Sequence, residues 1–423
     1  MKAGFYQTDI TPEDPSTVFL DGYGSRLGPA QGVRDPIYAK VCWISGGDKC
    51  FAVFSVDFCG FSNAVKDRLL TWICFISGVK REQIALCATH THAGPVCGVL
   101  TGLPVNTIYL DRVGQLMGGA LKKAMENAVE GEFRCAFGDE LTIPYNRRGH
   151  GHTEIDRRVF VWGFYDASGT LRGAFAGASC HAVCSTDMRI SADYPGVMTA
   201  RLSQSRPGVP VLFLQGRAAD VDPSIYNEEG IVKMGAEFAD SVQAGLSRAA
   251  SAPGVSGDPV FAFGVFDIPL GRPDRADLEA IVAKYSQRFE DPDPFRRRFA
   301  SVESYWALSA LADGSPELPS VPADLQALRI GDAAMVFVPF EMLTVTGNAL
   351  EDMLSERGVK APQCLVLGYS NGTNGYLCPS AEADSKDYES GGAAHWYGLP
   401  QCSAETEKAV ISGVTALADR LFN

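Results

Sequence analysis

Blocks of apolar residues alternate along the chain with segments in which apolar positions recur every three or four residues. The blocks at 40–44 and 50–57, joined by a glycine-containing turn, predict a β-hairpin. Residues 62–76 follow the helical period, with Leu69, Leu70 and Ile73 on one face. Further strands are predicted at 84–87, 133–138, 159–165, 171–179, 209–214, 261–268, 325–330, 333–338 and 363–367, and further helices at 107–129, 232–249, 275–289, 295–312, 343–354 and 404–421. This mixture predicts an α/β fold of mixed β-sheets packed with helices, whose strand ends and loops carry the functional site.

One region departs from this alternation. Residues 270–323 contain two charged helical segments followed by a proline-rich stretch, and this pattern predicts a helical insertion or cap. The chain has neither a G-x-G-x-x-G fingerprint after a strand nor a Walker A sequence, so a doubly wound nucleotide-binding fold is not predicted.

The composition, with 46% hydrophobic and 21% charged residues, is that of an ordinary globular protein. Its net charge of −13 argues against a nucleic-acid or anionic-membrane partner, because both are themselves negatively charged. We find no apolar run that could span a bilayer and no signal-peptide core, and therefore expect a cytoplasmic location. The 12 cysteines form no Cys-x-x-Cys pair and are expected to be reduced core residues. A small-molecule substrate is the expected partner, and the sequence leaves open whether the chain forms a homo-oligomer.

Histidines and a glutamate lie at or just after the ends of predicted strands. His90 and His92 are two residues apart and face the same side of an extended segment. Zinc in a hydrolase commonly has about three His or carboxylate ligands and one position open to water, so His90, His181 and Glu341 would supply such a set. His92 would then bind the substrate or transfer a proton. A single histidine or glutamate at a strand end is more often structural, and spacing along the chain does not show that distant positions converge.

Several segments resemble, in the same order, the catalytic domain of the neutral (non-lysosomal) ceramidases. Residues 89–95 (THTHAGP) are similar to that family's Thr-His-Thr-His-Ser-Gly-Pro signature, which is the most specific match. Residues 32–39 (GVRDPIYA) resemble its Gly-Val-His-Asp-Pro-Leu-Tyr-Ala segment. Shorter similarities occur at residues 4–12, 55–57, 146–147, 178–185, 338–347, 375–376 and 388–389. The resemblance covers nearly the whole chain and implies a single catalytic domain over residues 1–423.

The resemblance also implies a site and a reaction. Its metal ligands would be His90, His181, Glu341 and Tyr376, holding one Zn²⁺ per chain, and Tyr376 would act as an oxyanion donor if it is not a ligand. Its remaining site residues are His92 and Arg147, which would hold the scissile carbonyl, and Tyr388, which would line the site. The implied activity is that of a zinc-dependent amidohydrolase, which cleaves a linear or cyclic amide with metal-activated water.

Two departures from the family bear on the mechanism and the substrate. Asp222 stands where the family has a serine, so a serine nucleophile is not expected. Asp222 would instead support another site residue, meet a cationic group of the substrate, or stabilise the turn before Pro223. The chain also ends where the family's additional β-sandwich domain would begin and lacks its export signal, and we therefore expect a small soluble amide or lactam rather than membrane ceramide.

Two other functions remain open at this stage. The same scaffold would support a zinc-dependent esterase or lactonase, or another metal-assisted acyl-transfer or ring-opening enzyme, because the site and not the fold sets the chemistry. A non-catalytic metal-containing binding protein is the second alternative. The ligand-type residues together with Arg147 favour an enzyme over a binding protein.

Overall fold

Strands and helices follow one another along the chain much as the sequence pattern predicts. The computed structural model describes residues 1–149, 151–313, 319–385 and 387–422. Its strands are β1 (Lys2–Asp9), β2 (Gly32–Val33), β3 (Tyr38–Gly46), β4 (Lys49–Val56), β5 (Ile84–Ala88), β6 (Val129–Phe137), β7 (Pro144–Asn146), β8 (Phe160–Asp166), β9 (Leu171–Ala178), β10 (Arg189–Ile190), β11 (Val211–Gln215), β12 (Val221–Pro223), β13 (Gly254–Val255), β14 (Val260–Pro269), β15 (Ser320–Ile330), β16 (Ala333–Phe337), β17 (Glu341–Met342), β18 (Cys364–Leu367) and β19 (Tyr376–Leu377). Its α-helices are α1 (Asn63–Ser77), α2 (Thr107–Glu126), α3 (Asp193–Ser205), α4 (Asn227–Ala249), α5 (Arg275–Tyr285), α6 (Pro294–Ala312), α7 (Thr344–Ser355), α8 (Ala394–Tyr397) and α9 (Ala404–Phe422).

The larger sheet has the strand order β11–β9–β8–β6–β1–β3–β4–β5, with β13 paired to β6. The predicted hairpin is confirmed as the antiparallel pair β3–β4. The pairs β4–β5 and β9–β11 are parallel, so the sheet is mixed. The two ends of the sheet approach each other, because the Ser55 hydroxyl on β4 donates a hydrogen bond to the Phe213 carbonyl on β11 at 2.5 Å. This curvature brings the ends of β5 and β9 towards one another.

The smaller sheet, β14–β15–β16–β18, packs on one face of the larger sheet. Phe51 and Phe133 of the larger sheet share a buried cluster with Met335 and Phe337 of β16. Helices cover the outer faces: α1 and α2 lie over one half of the larger sheet, α3 and α4 over the other half, and α7 and α9 over the smaller sheet. The fold is therefore α/β with mixed sheets packed between helices, as predicted. Within the described ranges, no helix is both long enough and apolar enough to cross a bilayer.

Helix α3 is the main element that the sequence pattern did not predict. It contains Pro195 and Gly196 close to its start, a dipeptide that is typical of turns. Proline is nevertheless tolerated in the first turn of a helix, where its missing N–H has no partner to lose. Tyr194, Met198 and Leu202 recur at intervals of four residues and are buried against α4 and the sheet.

Helices α5 and α6 occupy most of the 270–323 stretch and pack against each other. They also contact the segment that contains α8, since the Trp306 indole N–H of α6 donates to the Leu399 carbonyl at 2.8 Å. Residues 314–318, in the proline-rich part of this stretch, lie outside the described residues. The assignment of 270–323 as an insertion or cap in a single domain stays a prediction.

Candidate metal centre and active site

Three strand ends deliver the predicted ligand residues to one place. His90 follows β5 by two residues and has a φ of 61°, a left-handed conformation that is uncommon outside glycine. His181 follows the end of β9 by three residues, and Glu341 begins β17 shortly after β16. All three residues are buried, with exposed fractions of 1% or less. The strand ends therefore place the side chains of His90, His181 and Glu341 together in the protein interior.

Backbone carbonyls fix the orientation of both imidazoles. His90 Nδ1 lies 2.6 Å from the Cys59 carbonyl oxygen, and His181 Nδ1 lies 2.7 Å from the Ala218 carbonyl oxygen. Because a carbonyl only accepts, each Nδ1 carries the proton and each Nε2 has a free lone pair. This is the arrangement that holds metal-binding histidines in proteins.

The two Nε2 atoms face the same carboxylate oxygen. His90 Nε2 and His181 Nε2 are each 3.3 Å from Glu341 Oε2. His181 Nε2 and Glu341 Oε2 are buried and have no hydrogen-bond partner. Burial raises the pKa of Glu341, but the positive charge that His90 and His181 carry when protonated outweighs this effect and holds the pKa well below its usual value. A metal ion in the place of those protons would meet this buried carboxylate oxygen and the lone pairs of both Nε2 atoms.

Tyr376 is placed next to Glu341 by strand pairing. Strands β17 and β19 are parallel, and Glu341 is directly opposite Tyr376 in their register. The Tyr376 hydroxyl accepts a hydrogen bond from Arg147 Nη2 at 2.8 Å. Burial raises the pKa of Tyr376 well above its usual value, although Arg147 acts in the opposite direction. Tyr376 therefore stands beside Glu341, with its phenol oxygen already engaged by the Arg147 cation.

Arg147 follows β7, which pairs with β12 in a register that places Asp222 opposite Tyr145. Its Nε donates to Glu389 Oε1 at 3.0 Å, and its Nη1 lies 3.3 Å from Asp222 Oδ1. Burial alone would lower the pKa of Arg147, but the neighbouring carboxylates and phenol raise it well above its usual value. The guanidinium is therefore a fixed positive charge between the cavity and the metal centre.

Asp222 contacts several predicted site residues at once. Besides Arg147, its Oδ1 lies 3.6 Å from His181 Nδ1, and its Oδ2 accepts from the Tyr226 hydroxyl at 3.3 Å. The structure thus brings Asp222 into the site as a partner of Arg147 and His181.

His92 lies between the metal centre and the cavity. Its Nε2 is 3.2 Å from His90 Nε2, and its ring packs edge-on against Tyr23 with a centroid separation of 5.1 Å. Gly22 makes this position possible, because a Cβ on Gly22 would lie 2.3 Å from the His92 ring. Burial, followed by the charges of His90 and His181, lowers the pKa of His92 well below its usual value. His92 is therefore a neutral imidazole at neutral pH, able to accept or donate a proton.

An open cavity of about 680 Å³ leads to these residues. His92, Arg147, Tyr376, Asp222 and Tyr388 line it, and Tyr388 is 51% exposed. The other lining residues are largely polar or aromatic: Tyr23, Tyr145, Arg148, Tyr226, Asp387 and Glu389. Every predicted site residue therefore lies at the metal centre or in this cavity.

A second group of ligand-type residues, Cys59 with His90 and His92, is less suited to a metal. Cys59 Sγ lies 3.7 Å from His90 Nδ1, the nitrogen that donates to a backbone carbonyl. Burial raises the pKa of the Cys59 thiol well above its usual value, so the thiolate that a metal requires is disfavoured. The set of His90, His181 and Glu341 is therefore the better candidate among the described residues.

The structure adds residues that the sequence did not indicate. The ring of Tyr369 lies against His90 with a centroid separation of 4.2 Å, and the Tyr397 hydroxyl donates to Glu341 Oε1. Glu389 bridges Arg147 and Arg148. Only Glu389 had a signal in the sequence, since it follows Tyr388 in one of the segments that resemble the family.

Comparisons with known proteins find similarity in structure alone. No protein-family model matches the chain, and no curated protein matches it in sequence. The structure of the neutral ceramidase from Pseudomonas aeruginosa matches with a TM-score of 0.79 and 18% identity, over 99% of this chain and 74% of that one. A ceramidase complexed with C2 matches with a TM-score of 0.77 and 19% identity, over 99% and 75% of the two chains. The resemblance inferred from the sequence motifs is thus confirmed in three dimensions, and the chain has the fold of the neutral ceramidases.

Proposed function

We propose that this chain is a zinc-dependent hydrolase that cleaves the amide bond of a small polar molecule. One observation carries the proposal: the Nε2 atoms of His90 and His181 converge on the unpaired Oε2 of Glu341, beside a cavity lined by Arg147 and Tyr376. The likeness to proteins named as ceramidases supports amide hydrolysis as the reaction.

The donor set favours zinc over harder cations. Two imidazole nitrogens and one carboxylate oxygen are typical of catalytic zinc sites, whereas calcium and magnesium prefer oxygen ligands. Tyr376 lies beside Glu341 and is the fourth candidate ligand. Zinc held there would lower the pKa of a coordinated water to about 7 and would polarise a substrate carbonyl.

The residues around the centre suit a carbonyl substrate. Arg147 presents a permanent positive charge, and Tyr376 presents a hydroxyl, on the cavity side of Glu341. Donors fixed in this way stabilise the negative charge that develops on a carbonyl oxygen when its carbon is attacked. His92 is neutral and faces the same cavity, so it can accept the proton that the attacking water releases and pass it to the departing amine.

The cavity favours a polar substrate. Its wall carries Asp222, Arg148 and Asp387 together with several tyrosines. A long hydrocarbon chain would have to desolvate these charged groups without replacing their hydrogen bonds, which is costly. A hydroxylated or amine-bearing amide can instead hydrogen-bond to them.

Metal content and substrate preference test the proposal. Purified protein should contain about one zinc per chain, and zinc should be lost in His181→Ala but kept in His152→Ala, a histidine outside the ligand set. Amide, lactam and ester substrates with short polar acyl groups should be compared with long-chain ceramide. We expect the protein to release amine from a short polar amide, and we expect a chelator to abolish this activity. Protein that binds no zinc would contradict the proposal, and cleavage of esters but not amides would replace it with an esterase.

A further inference from the structure

Tyr397 makes a contact with the metal centre that the proposed function does not use. Its hydroxyl donates a hydrogen bond to Glu341 Oε1, while Glu341 Oε2 faces the two histidines. The two oxygens of the carboxylate are therefore in different environments. Oε1 accepts a hydrogen bond from the Tyr397 phenol, and Oε2 is buried without a hydrogen-bond partner.

Several contacts hold Tyr397 in this position. It is the last residue of α8, and the Tyr376 ring packs against its own ring at 86°, with centroids 6.0 Å apart. The preceding residue, Trp396, accepts a hydrogen bond on its carbonyl from Thr101 N at 2.7 Å and packs against Phe299 of α6.

Helix α6 also holds the residues on either side of Tyr397. His395 Nε2 lies 3.2 Å from Glu303 Oε1, and the Trp306 indole donates to the Leu399 carbonyl at 2.8 Å. The phenol that contacts Glu341 is thus fixed from three directions: by Tyr376, by the loop at Thr101 and by α6.

We propose that Tyr397 is a positioning residue that makes Glu341 a ligand through Oε2 alone. This inference rests on the proposed zinc site. A carboxylate with both oxygens free can bind a metal through either or both of them, which changes the number of ligands and the room left for water and substrate. A hydrogen bond to Oε1 removes that freedom, and partners of this kind commonly contribute about 10–100-fold to metal affinity or activity.

The test compares Tyr397→Phe with Tyr109→Phe. Tyr109 is a matched control because it is also largely buried and its hydroxyl donates to the Ile10 carbonyl at 2.7 Å, away from the metal centre. Zinc affinity is measured by competition with a chromophoric chelator, and the melting temperature of each metal-free protein shows whether the variant is folded. Cobalt(II) replaces zinc for a second measurement, since its visible absorption weakens as its coordination number rises.

We expect Tyr397→Phe to bind zinc about 10–100-fold more weakly and its cobalt form to absorb more weakly, while Tyr109→Phe keeps wild-type affinity and spectrum. If folded Tyr397→Phe binds zinc as tightly as the wild type and gives the same cobalt spectrum, Tyr397 does not position Glu341. If the wild type itself binds no zinc, the proposed function fails and this inference with it. If the wild type binds zinc and folded Tyr397→Phe does not differ from it, only the inference about Tyr397 fails and the proposed zinc site stands.

Discussion

The Arg147 guanidinium donates to the Tyr376 hydroxyl at 2.8 Å, although the two residues are 229 positions apart in the chain. Two short strand pairs make the contact possible. Arg147 follows β7, which pairs with β12, and Tyr376 belongs to β19, which pairs with β17. The contact joins a fixed positive charge to a phenol that lies beside Glu341, the proposed metal ligand. Donors aimed at one point in this way are the part of the site that would act on a carbonyl oxygen.

Replacing Arg147 with lysine should separate catalysis from metal binding. Lysine keeps the charge but cannot reach Tyr376, Glu389 and Asp222 with a planar fork of donors. We expect kcat to fall by roughly 10²-fold or more while the zinc content stays unchanged. Arg134→Lys is the control, because Arg134 also pairs with a glutamate, Glu132, but lies on β6 outside the site. Equal losses of activity in both variants would contradict this role.

Alanine substitutions should distinguish the two candidate ligand groups. His181→Ala removes a nitrogen that faces Glu341 Oε2, so we expect it to lose zinc. Cys59→Ala removes a thiol that faces only the protonated side of His90, so its zinc content should match the wild type. The zinc content of both folded variants, measured by metal analysis, shows which group of residues binds the metal. Loss of zinc in Cys59→Ala would instead favour the group of Cys59, His90 and His92.

Metal removal should lower the stability of the protein. Without a cation, the buried Glu341 carboxylate keeps an unpaired oxygen beside two imidazole lone pairs. Zinc at about 100 times its Kd should raise the free energy of unfolding by about 2.7 kcal/mol through mass action. Melting curves with zinc and with chelator measure this difference. His181→Ala should show the same melting temperature in both conditions, and a wild type that behaves in the same way would argue against the site.

The buried pair Glu303 and His395 should give a characteristic pH dependence of stability. Burial raises the pKa of Glu303 from 4.5 to about 7, partly opposed by the charge of Lys284. A raised folded-state pKa stabilises the protein below pH 4.5, and this contribution is lost as the pH rises to about 7. Burial lowers the pKa of His395 from 6.5 to about 4, so its contribution is present above pH 6.5 and is lost as the pH falls. Between pH 4.5 and 6.5 the two effects therefore oppose each other.

Glu303→Gln should remove the contribution of Glu303 to the pH dependence of stability and leave that of His395. Between pH 4.5 and 7, the free energy of unfolding of the variant should rise by about 1–2 kcal/mol relative to that of the wild type, after allowance for solvent screening. Urea unfolding at pH 4.5, 5.5, 6.5 and 7.5 measures the difference. Glu290→Gln, at an exposed glutamate, should follow the wild-type curve. Parallel curves for all three proteins would show that the pair does not titrate in this way.

Much of the fold and most residues of the site follow from local sequence patterns and from the family resemblance. Apolar blocks predicted the strands that end near His90, His181 and Glu341. A buried strand of four or more residues has enough apolar positions to be recognised from its sequence. The motif of residues 89–95 identified His90 and His92 and the resemblance that named Arg147, Tyr376 and Tyr388.

Tertiary structure alone decided the rest. Strands β17 and β19 have two residues each, too few to show a period, yet their register puts Tyr376 beside Glu341. Helix α3 begins with residues typical of a turn and is stabilised by burial of its later residues. Tyr369 and Tyr397 reach the metal centre across long separations in sequence, and no spacing rule relates them to His90 or Glu341. The sequence by itself determined which residue types stand at the strand ends. Packing of the two sheets determined that those ends meet, because convergence of distant side chains depends on the summed geometry of the whole core.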